Sequence, residues 1–234
     1  MQPEHNLRKA FVPSSVAVIG ASDREGSLGT FIWKGVMNSG RVMEAYPVNP
    51  KYKYLGVTPC WPSLEELPVV PDLAVLALPS RLVIETLHDC ARKGVRFALL
   101  PPGNEQYTGD RIWRDELIRT ARRLAIRVIG PDSIGIMRPQ IGLNVSYATH
   151  LARAGRIGLI CQSGSVTASI LDYAERRGLG HRHHRESVHH GLHGLDGVDL
   201  RDHDLGAQAL GPHGHASAAP AVTGDYDGLS GDYE

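Results

Sequence analysis

The sequence predicts an α/β fold built on a doubly wound parallel sheet. Two observations support this prediction. Five short apolar runs, rich in Val, Ile, Leu and Ala, alternate with longer segments of helical periodicity, as expected for strands buried on both faces of a sheet. The first run is followed directly by the turn Gly20-Ala21-Ser22, which leads into a helical segment. Strand–helix–strand units of this length connect parallel strands by right-handed crossovers.

The first strand and helix surround a turn that suits an anion. Val16–Ile19 is the predicted strand, Gly20 is the residue without a Cβ that a tight turn needs, and the helix extends from Leu28 to a stop at 38–40. A helix N-terminus behind such a turn presents backbone N–H groups and the positive end of the helix dipole. Ser22 stands where G-x-G-x-x-G has its second glycine. The turn alone therefore does not distinguish a phosphate site from a plain connection.

The remaining strands and helices follow in regular alternation. The other four strands are predicted at Val42–Val48, Asp72–Leu78, Val95–Leu100 and Arg127–Gly130. Between them we expect an extended piece over Leu55–Val57, a short helix over Ser63–Leu67, a helix capped by Ser80 that ends at Gly94, and a helix capped by Asp110. The apolar face of the last helix carries Trp113, Leu117, Ala121 and Leu124.

The ligand of an open α/β sheet lies beyond the carboxyl ends of the strands. The turns expected at this edge are Gly20-Ala21-Ser22, Asn49-Pro50-Lys51, Pro79-Ser80, Pro101-Pro102-Gly103 and Gly130-Pro131-Asp132. They contain no Ser/His/Asp set, no paired carboxylates and no group of metal ligands. We therefore predict a binding edge with no catalytic residue and no metal site.

The end of the second strand indicates which ligand this edge binds. An NAD-binding domain has a carboxylate there, which binds the ribose hydroxyls. This chain has Asn49 and Lys51 instead, and a lysine favours a ribose that carries an extra phosphate. NADP has one at the 2′ position and coenzyme A at the 3′ position, and a solvated loop lysine is the third interpretation. An NADP-dependent oxidoreductase would also need a His, Lys or Tyr for hydride transfer at a strand end, and none is predicted there.

Composition narrows the class of protein. The 234 residues have a formal net charge of zero, which does not indicate a nucleic-acid partner. The three cysteines are far apart and form no metal-binding spacing. The first residues, MQPEHNLRKAF, lack an apolar core of signal-peptide length, and no run of 18 apolar residues occurs in the sequence. We expect a soluble, reduced, cytoplasmic protein with no membrane partner.

A second strand–loop–helix unit follows the predicted sheet. Arg156–Ile160 is the predicted strand, and the helix extends from Val166 to Arg177. Its expected buried stripe is Val166, Ile170, Leu171 and Ala174. The loop residues Ser163, Gly164 and Ser165 are either a second anion site at a helix N-terminus or a plain helix cap.

Five motifs in order give the chain a family resemblance. They are VAVIGAS, YPVNPKY, DLAVLALPS, GPDSIG and ICQSGSVTASILDYAERRGLG. Together they resemble the N-terminal part of NDP-forming acyl-CoA synthetases and the succinyl-CoA ligase α-subunit superfamily. The synthetase-like half of Pat-type protein lysine acetyltransferases is similar as well. The resemblance covers about Leu7 to Gly180.

The resemblance implies a domain organisation, a cofactor and a reaction. It implies a Rossmann-like coenzyme A-binding domain over 7–150 and an incomplete flavodoxin-like ligase unit over 154–180. The parent reaction joins an acid to coenzyme A through an acyl phosphate, with an ATP-grasp domain or subunit as partner. This chain alone is expected to bind CoA or acyl-CoA and to catalyse nothing. A stand-alone CoA-binding regulator is the alternative within the same fold.

The resemblance also implies roles for particular residues. Gly20, Ala21 and Ser22 would cradle the CoA phosphates, and Asn49, Pro50 and Lys51 would flank the 3′-phosphate. Pro79 and Ser80 would line the nucleotide, Pro102 and Gly103 would lie on the pantetheine side, and Ser163, Gly164 and Ser165 match the family's phosphate loop. One departure is Asp132, where the family turn G-P-N-x-x-G has Asn. The carboxylate would add negative charge near an anionic ligand.

The last segment, His181–Glu234, differs abruptly in composition from the rest. It holds nine of the twelve histidines and lacks Ile, Phe, Trp, Met, Lys, Asn and Cys. A His-rich metal-binding tail is one interpretation. The abrupt change inside an expected structural unit favours the other, a frameshift product. In either case we expect disorder.

Overall fold

The predicted strands assemble around Ser15–Ile19. The computed structural model describes residues 7–39, 44–102, 111–148, 151–155 and 158–178. Within these residues the strands are β1 (Ser15–Ile19), β2 (Glu44–Val48), β3 (Tyr54–Leu55), β4 (Thr58–Pro59), β5 (Leu73–Leu76), β6 (Phe97–Leu99), β7 (Arg127–Ile129), β8 (Gly135–Arg138) and β9 (Leu143–Ser146). The α-helices are α1 (Arg8–Phe11), α2 (Leu28–Met37), α3 (Ser80–Lys93), α4 (Arg111–Arg123) and α5 (Gly164–Arg176).

The main sheet is parallel and has the strand order β2-β1-β5-β6-β7. Ala17 at the centre of β1 pairs with Tyr46 of β2 on one side and with Ala74 of β5 on the other. After β2 the chain crosses back to the far side of β1, which makes the boundary between β1 and β5 a topological switch point. The predicted doubly wound parallel sheet is confirmed.

Burial explains why these strands are almost purely apolar. Every residue of β1, β5 and β6 is buried. Because successive side chains of a strand point to opposite faces, both faces of the sheet must be covered. Leu117 and Ala121 of α4 are buried, and Trp113 and Leu124 pack against the same core, as the predicted stripe requires.

Two predictions in the 54–67 region are wrong. Residues 63–67 form a turn and no helix, because the segment lies between Pro62 and Pro68 and is too short for a stable helical nucleus. Leu64 and Leu67 are buried in the core instead. The extended piece predicted over Leu55–Val57 is wrong as well, because the chain turns there. Leu55 ends β3, and Gly56, at φ +60°, lies in the turn of the β3–β4 hairpin.

The caps of the helices differ from prediction at one point. The N-cap of α3 is Pro79, and Ser80 is the first residue of the helix. Gly94 ends α3 with φ +95° as predicted, and the Lys93 ammonium donates to the carbonyls of Glu65 and Leu67. Asp110, the predicted cap of α4, lies outside the described residues.

The region after β7 contains a hairpin that was not predicted from the sequence. Strand β9 pairs antiparallel with β8. Asn144 of β9 donates its backbone N–H to the hydroxyl of Ser39 just beyond α2, at 3.0 Å. The pattern of single apolar runs did not reveal this pairing, because the antiparallel hairpin depends on the turn at 139–142, where Gly142 has φ +70°.

The predicted strand over 156–160 is not found where the structure describes it. Residues 158–160 have no strand conformation, and Ile160 is half exposed; 156 and 157 lie outside the described residues. The predicted stripe of α5 is half wrong. Its buried side chains are Thr167, Leu171 and Ala174, whereas Val166 and Ile170 are exposed. Leu171 packs in a small cluster with Met137 and Ala152.

All described residues belong to one compact unit, and the division at 150 and 154 remains a prediction. The segment 181–234 lies outside the described residues. Among the helices that are described, none combines the length and the apolar character needed to cross a membrane.

Candidate functional site

A cavity of about 630 Å³ opens at the carboxyl ends of β1, β2 and β5. We call it the edge cavity. Its walls include the β1–α2 turn, the β2–β3 loop, residues 62–64 after β4, and the turn into α3 with the first turns of that helix. Its lining includes Gly20, Ser22, Arg24, Ser27, Gly29, Asn49, Pro50, Lys51, Tyr52, Pro79, Arg81 and Asp89. The cavity lies at the switch point of the sheet, where open α/β folds bind their ligands.

Two glycines allow the backbone to close tightly at the floor of this cavity. Gly20 has φ +87°, and a Cβ there would lie 2.3 Å from the carbonyl oxygen of Ala77. A Cβ on Gly29, in the first turn of α2, would lie 2.0 Å from the carbonyl oxygen of Gly20. A side chain at either position is therefore excluded by backbone. Gly29 was not predicted as a site residue, because a glycine nine residues beyond the turn matches no familiar fingerprint.

The hydroxyls of the β1–α2 turn shape the backbone around the cavity. Ser22 Oγ accepts a hydrogen bond from the Arg24 N–H at 3.0 Å. Ser27 is the N-cap of α2, and its Oγ accepts from the Thr30 N–H at 3.2 Å. The Thr30 hydroxyl in turn donates to the carbonyl of Arg24 at 2.6 Å. The start of α2 thus faces the cavity with the N–H groups that a helix leaves unpaired in its first turn.

The β2–β3 loop brings a lysine to the other side of the cavity. Asn49 Oδ1 accepts from the Lys51 N–H at 3.0 Å, and Asn49 Nδ2 donates to the Ala21 carbonyl at 2.8 Å. The Lys51 side chain is exposed and lines the cavity. The bond from the Lys51 N–H to Asn49 Oδ1 holds the backbone of Lys51 in a defined turn.

The charges around the edge cavity favour an anion. Among the described residues, Arg24, Lys51 and Arg81 line it together with a single carboxylate, Asp89, which also pairs with Arg92. Asp132 has φ +60° and is not among the lining residues. Its negative charge is therefore not part of the cavity wall.

The structure separates the predicted site residues into two groups. Gly20, Ser22, Asn49, Pro50, Lys51 and Pro79 line the edge cavity. Ala21, Ser80 and Pro102 do not: the carbonyl of Ala21 is used by Asn49, and that of Ser80 accepts from Trp113 Nε1 at 3.2 Å. Gly103 lies outside the described residues. Arg24, Tyr52 and Arg81 were missed, although each adjoins or lies within two residues of a predicted one.

The second predicted anion site is a helix cap. Ser163 is the N-cap of α5: its Oγ accepts from the Val166 N–H at 3.3 Å and lies 3.1 Å from Ser165 Oγ. A Cβ on Gly164 would meet Ile134 at an ordinary 3.9 Å, so no close approach requires a glycine there. These residues do not line the edge cavity, and their role as a phosphate loop stays a prediction.

The described residues offer no metal centre, and their cysteines are not paired. No group of three or more His, Cys, Asp and Glu in the described part of the chain is placed to hold a metal. Cys60, Cys90 and Cys161 are free thiols. Burial raises the pKa of Cys90 to about 12 and also raises that of Cys60.

The fold and the cavity define a nucleotide-binding α/β domain whose ligand is anionic. Residues 14–139 match the family model described as a CoA binding domain, and the chain belongs to this family. The coenzyme A cofactor predicted from the motifs is supported by this match, and the comparisons favour it over NADP.

The sequence similarity to named ligases extends over more of the chain than the family model does. Acetate–CoA ligase (ADP-forming) I of Archaeoglobus fulgidus is 34% identical over 178 residues, which are 74% of this chain and 25% of the ligase. The subunit α of acetate–CoA ligase (ADP-forming) II of Pyrococcus furiosus is 32% identical, over 73% of this chain and 37% of the subunit. The chain thus spans about a quarter of the full-length ligase and just over a third of the subunit.

A solved structure extends the likeness to three dimensions. The apo form of the dinucleotide-forming acetyl-coenzyme A synthetase 1 of Ca. Korarchaeum cryptofilum has a TM-score of 0.75 and 29% identity. The similarity covers 83% of this chain and 42% of that one. The predicted resemblance to NDP-forming acyl-CoA synthetases is confirmed.

Proposed function

We propose that this chain is the CoA- or acyl-CoA-binding module of an NDP-forming acyl-CoA synthetase. The observation that supports it most directly is the edge cavity, where the start of α2 and three cationic side chains surround one opening. Coenzyme A carries a diphosphate and a separate 3′-phosphate. A helix N-terminus suits the first, and Lys51 on the opposite loop suits the second.

The size and chemistry of the cavity agree with this proposal. A volume of about 630 Å³ lies within the range of small-molecule sites, roughly 300–1,000 Å³. The end of β2 bears Asn49 and Lys51 and no carboxylate that would bind an unphosphorylated ribose. The ligase relatives favour a ligase parent over the acetyltransferase parent.

We further propose an ATP-grasp domain or subunit as the partner. The Pyrococcus furiosus relative is named as a subunit α, which supports a partner on a second chain.

Isothermal titration calorimetry with four ligands tests the proposed cofactor. Coenzyme A should bind most tightly, dephospho-coenzyme A more weakly, and NADP and NAD weakest. The contrast between the first two isolates the 3′-phosphate, and the contrast with NADP distinguishes coenzyme A from the other cofactor that has a phosphorylated ribose. No detectable heat with coenzyme A, or tighter binding of NADP, would overturn the proposal.

A further inference from the structure

Asn49 uses both polar atoms of its side chain within the protein. Oδ1 accepts from the Lys51 N–H, and Nδ2 donates across to the Ala21 carbonyl at 2.8 Å. Its backbone is fixed as well, because the Asn49 N–H donates to the Trp61 carbonyl at 2.8 Å. The two bonds use one N–H and one lone pair of the amide and fix the orientation of its plane.

Tyr52 makes a second connection between the same two segments. Its phenol oxygen lies 3.2 Å from Ser22 Oγ, within hydrogen-bond distance. That serine oxygen already accepts from the Arg24 N–H, so one hydroxyl joins both loops. The β1–α2 turn and the β2–β3 loop are therefore tied at two points, through residues 28 and 30 positions apart in the chain.

The two ties determine where the cations of the cavity lie. Arg24 follows the tied Ser22 on one loop, and Lys51 lies between Asn49 and Tyr52 on the other. Both cations line the edge cavity. A ligand that carries phosphate at two separate places needs both loops at one fixed separation. A spacing that is already fixed before binding lowers the entropic cost of ordering the loops around the ligand.

We propose that Asn49 and Tyr52 are positioning residues that hold Lys51 and the β1–α2 turn at the separation required by a ligand with two phosphate groups. Asn49 is thus assigned a supporting role in the site, since its amide joins the two loops. This inference rests on the proposed coenzyme A site, and its test is chosen so that the two can fail separately.

The first test compares affinities for coenzyme A and dephospho-coenzyme A by calorimetry. In Asn49→Ala, the ratio of the two affinities should fall about fivefold to tenfold, since Lys51 loses its fixed turn. Lys51→Ala should lower the same ratio. The double variant should lower it no further, because Asn49 acts through the contact between Lys51 and the 3′-phosphate. An unchanged ratio in Asn49→Ala, or full additivity with Lys51→Ala, would overturn the proposal.

The second test removes the other tie with a smaller change. Tyr52→Phe and Ser22→Ala should each weaken coenzyme A binding about threefold to tenfold, and their double variant should bind no more weakly than Ser22→Ala, which already lacks the bond to Tyr52. Tyr54→Phe is the matched control, since Tyr54 is 62% exposed and does not line the cavity. Unaltered binding in Tyr52→Phe would overturn this half of the proposal, even where Asn49→Ala fails to fold.

The wild-type protein separates the two levels of the inference. If it binds no coenzyme A, the proposed function and the positioning roles both fail. If it binds coenzyme A and the variants leave affinity and ratio unchanged, only the positioning roles fail. Thermal unfolding of each variant without ligand checks that the fold is intact.

Discussion

Gly20 shows how strongly one residue can be constrained by backbone alone. It combines φ +87° with a space in which a Cβ would lie 2.3 Å from the Ala77 carbonyl oxygen. We expect Gly20→Ala to abolish coenzyme A binding and to lower the free energy of unfolding by about 1–3 kcal/mol. Titration calorimetry and denaturant unfolding measure the two effects.

Gly56 is the matched control for Gly20. Its φ is +60°, but a Cβ there would meet nothing within 4 Å. Gly56→Ala should therefore cost only the conformational strain of about 1–2 kcal/mol and leave binding unchanged. Retained affinity in Gly20→Ala would mean that Gly20 serves the turn and not the ligand.

Lys51 is the residue on which the choice of ligand depends most. Lys51→Glu should weaken coenzyme A binding by about 1–3 kcal/mol and dephospho-coenzyme A far less, since charge-assisted bonds to a phosphate have this magnitude. Lys53→Glu makes the same charge change two residues away at an exposed position that does not line the cavity. Equal losses for both ligands in calorimetry would remove Lys51 from the 3′-phosphate.

The buried thiol of Cys90 makes the free energy of unfolding depend on pH in the alkaline range. Burial raises its pKa from 9.0 to about 12. The folded protein thus retains a proton that the unfolded chain releases above pH 9, and this stabilisation is complete below pH 9 and lost as pH rises towards 12. Between pH 8 and pH 10 the wild type should lose about 1.4 kcal/mol more than Cys90→Ala. Denaturant unfolding at both values gives the comparison, and parallel losses would contradict it.

At the scale of elements, α5 is held to the rest of the described chain by few contacts. Thr167, Leu171 and Ala174 are its buried residues, and Arg153 adds an ion pair to Glu175 at 3.0 Å. The cluster that receives Leu171 is small. Three other apolar or aromatic residues of α5 are exposed, namely Val166 (49%), Ile170 (37%) and Tyr173 (56%). This helix therefore depends on one narrow face for its attachment.

We expect Leu171→Ala to release α5 without unfolding the sheet. Large-to-small changes at buried leucines cost about 2–5 kcal/mol, which exceeds what so narrow a face supplies. Hydrogen exchange should rise in α5 and stay unchanged in β1. Ile170→Ala, one residue away on the exposed side, should leave both unchanged. Equal exchange in the two variants would show that α5 is anchored in another way.

At the scale of the whole molecule, we predict that this chain binds coenzyme A without making a thioester. The polar side chains that line its described edge cavity are three cations, several hydroxyls, one amide and one carboxylate, and the chain spans about a quarter of the full-length ligase. A coupled assay with acetate, coenzyme A and ATP should show no product. The full-length Archaeoglobus fulgidus ligase serves as the positive control, and turnover by the purified chain would contradict the binding-module proposal.

Much of the fold was predictable because its signals are local. A parallel strand buried on both faces must be a short apolar run, as β1 and β5 are. Gly20 marks a turn, and Gly94 ends α3 in a left-handed conformation. Many residues of the edge cavity could be predicted for the same reason, since parallel strands end at one edge of the sheet and bring their turns together.

The sequence by itself thus determined the sheet and its binding edge, and the motifs of the family resemblance indicated coenzyme A as the ligand. Tertiary structure alone decided the features that depend on contacts between distant residues. The β8–β9 hairpin, the buried face of α5 and the bond between Ser22 and Tyr52 are of this kind. Asn49 is the plainest case: its residue type suited a ligand contact, but its side chain bonds to Ala21, 28 residues away. A local pattern specifies which groups a residue offers, and only the packed chain specifies which partner takes them.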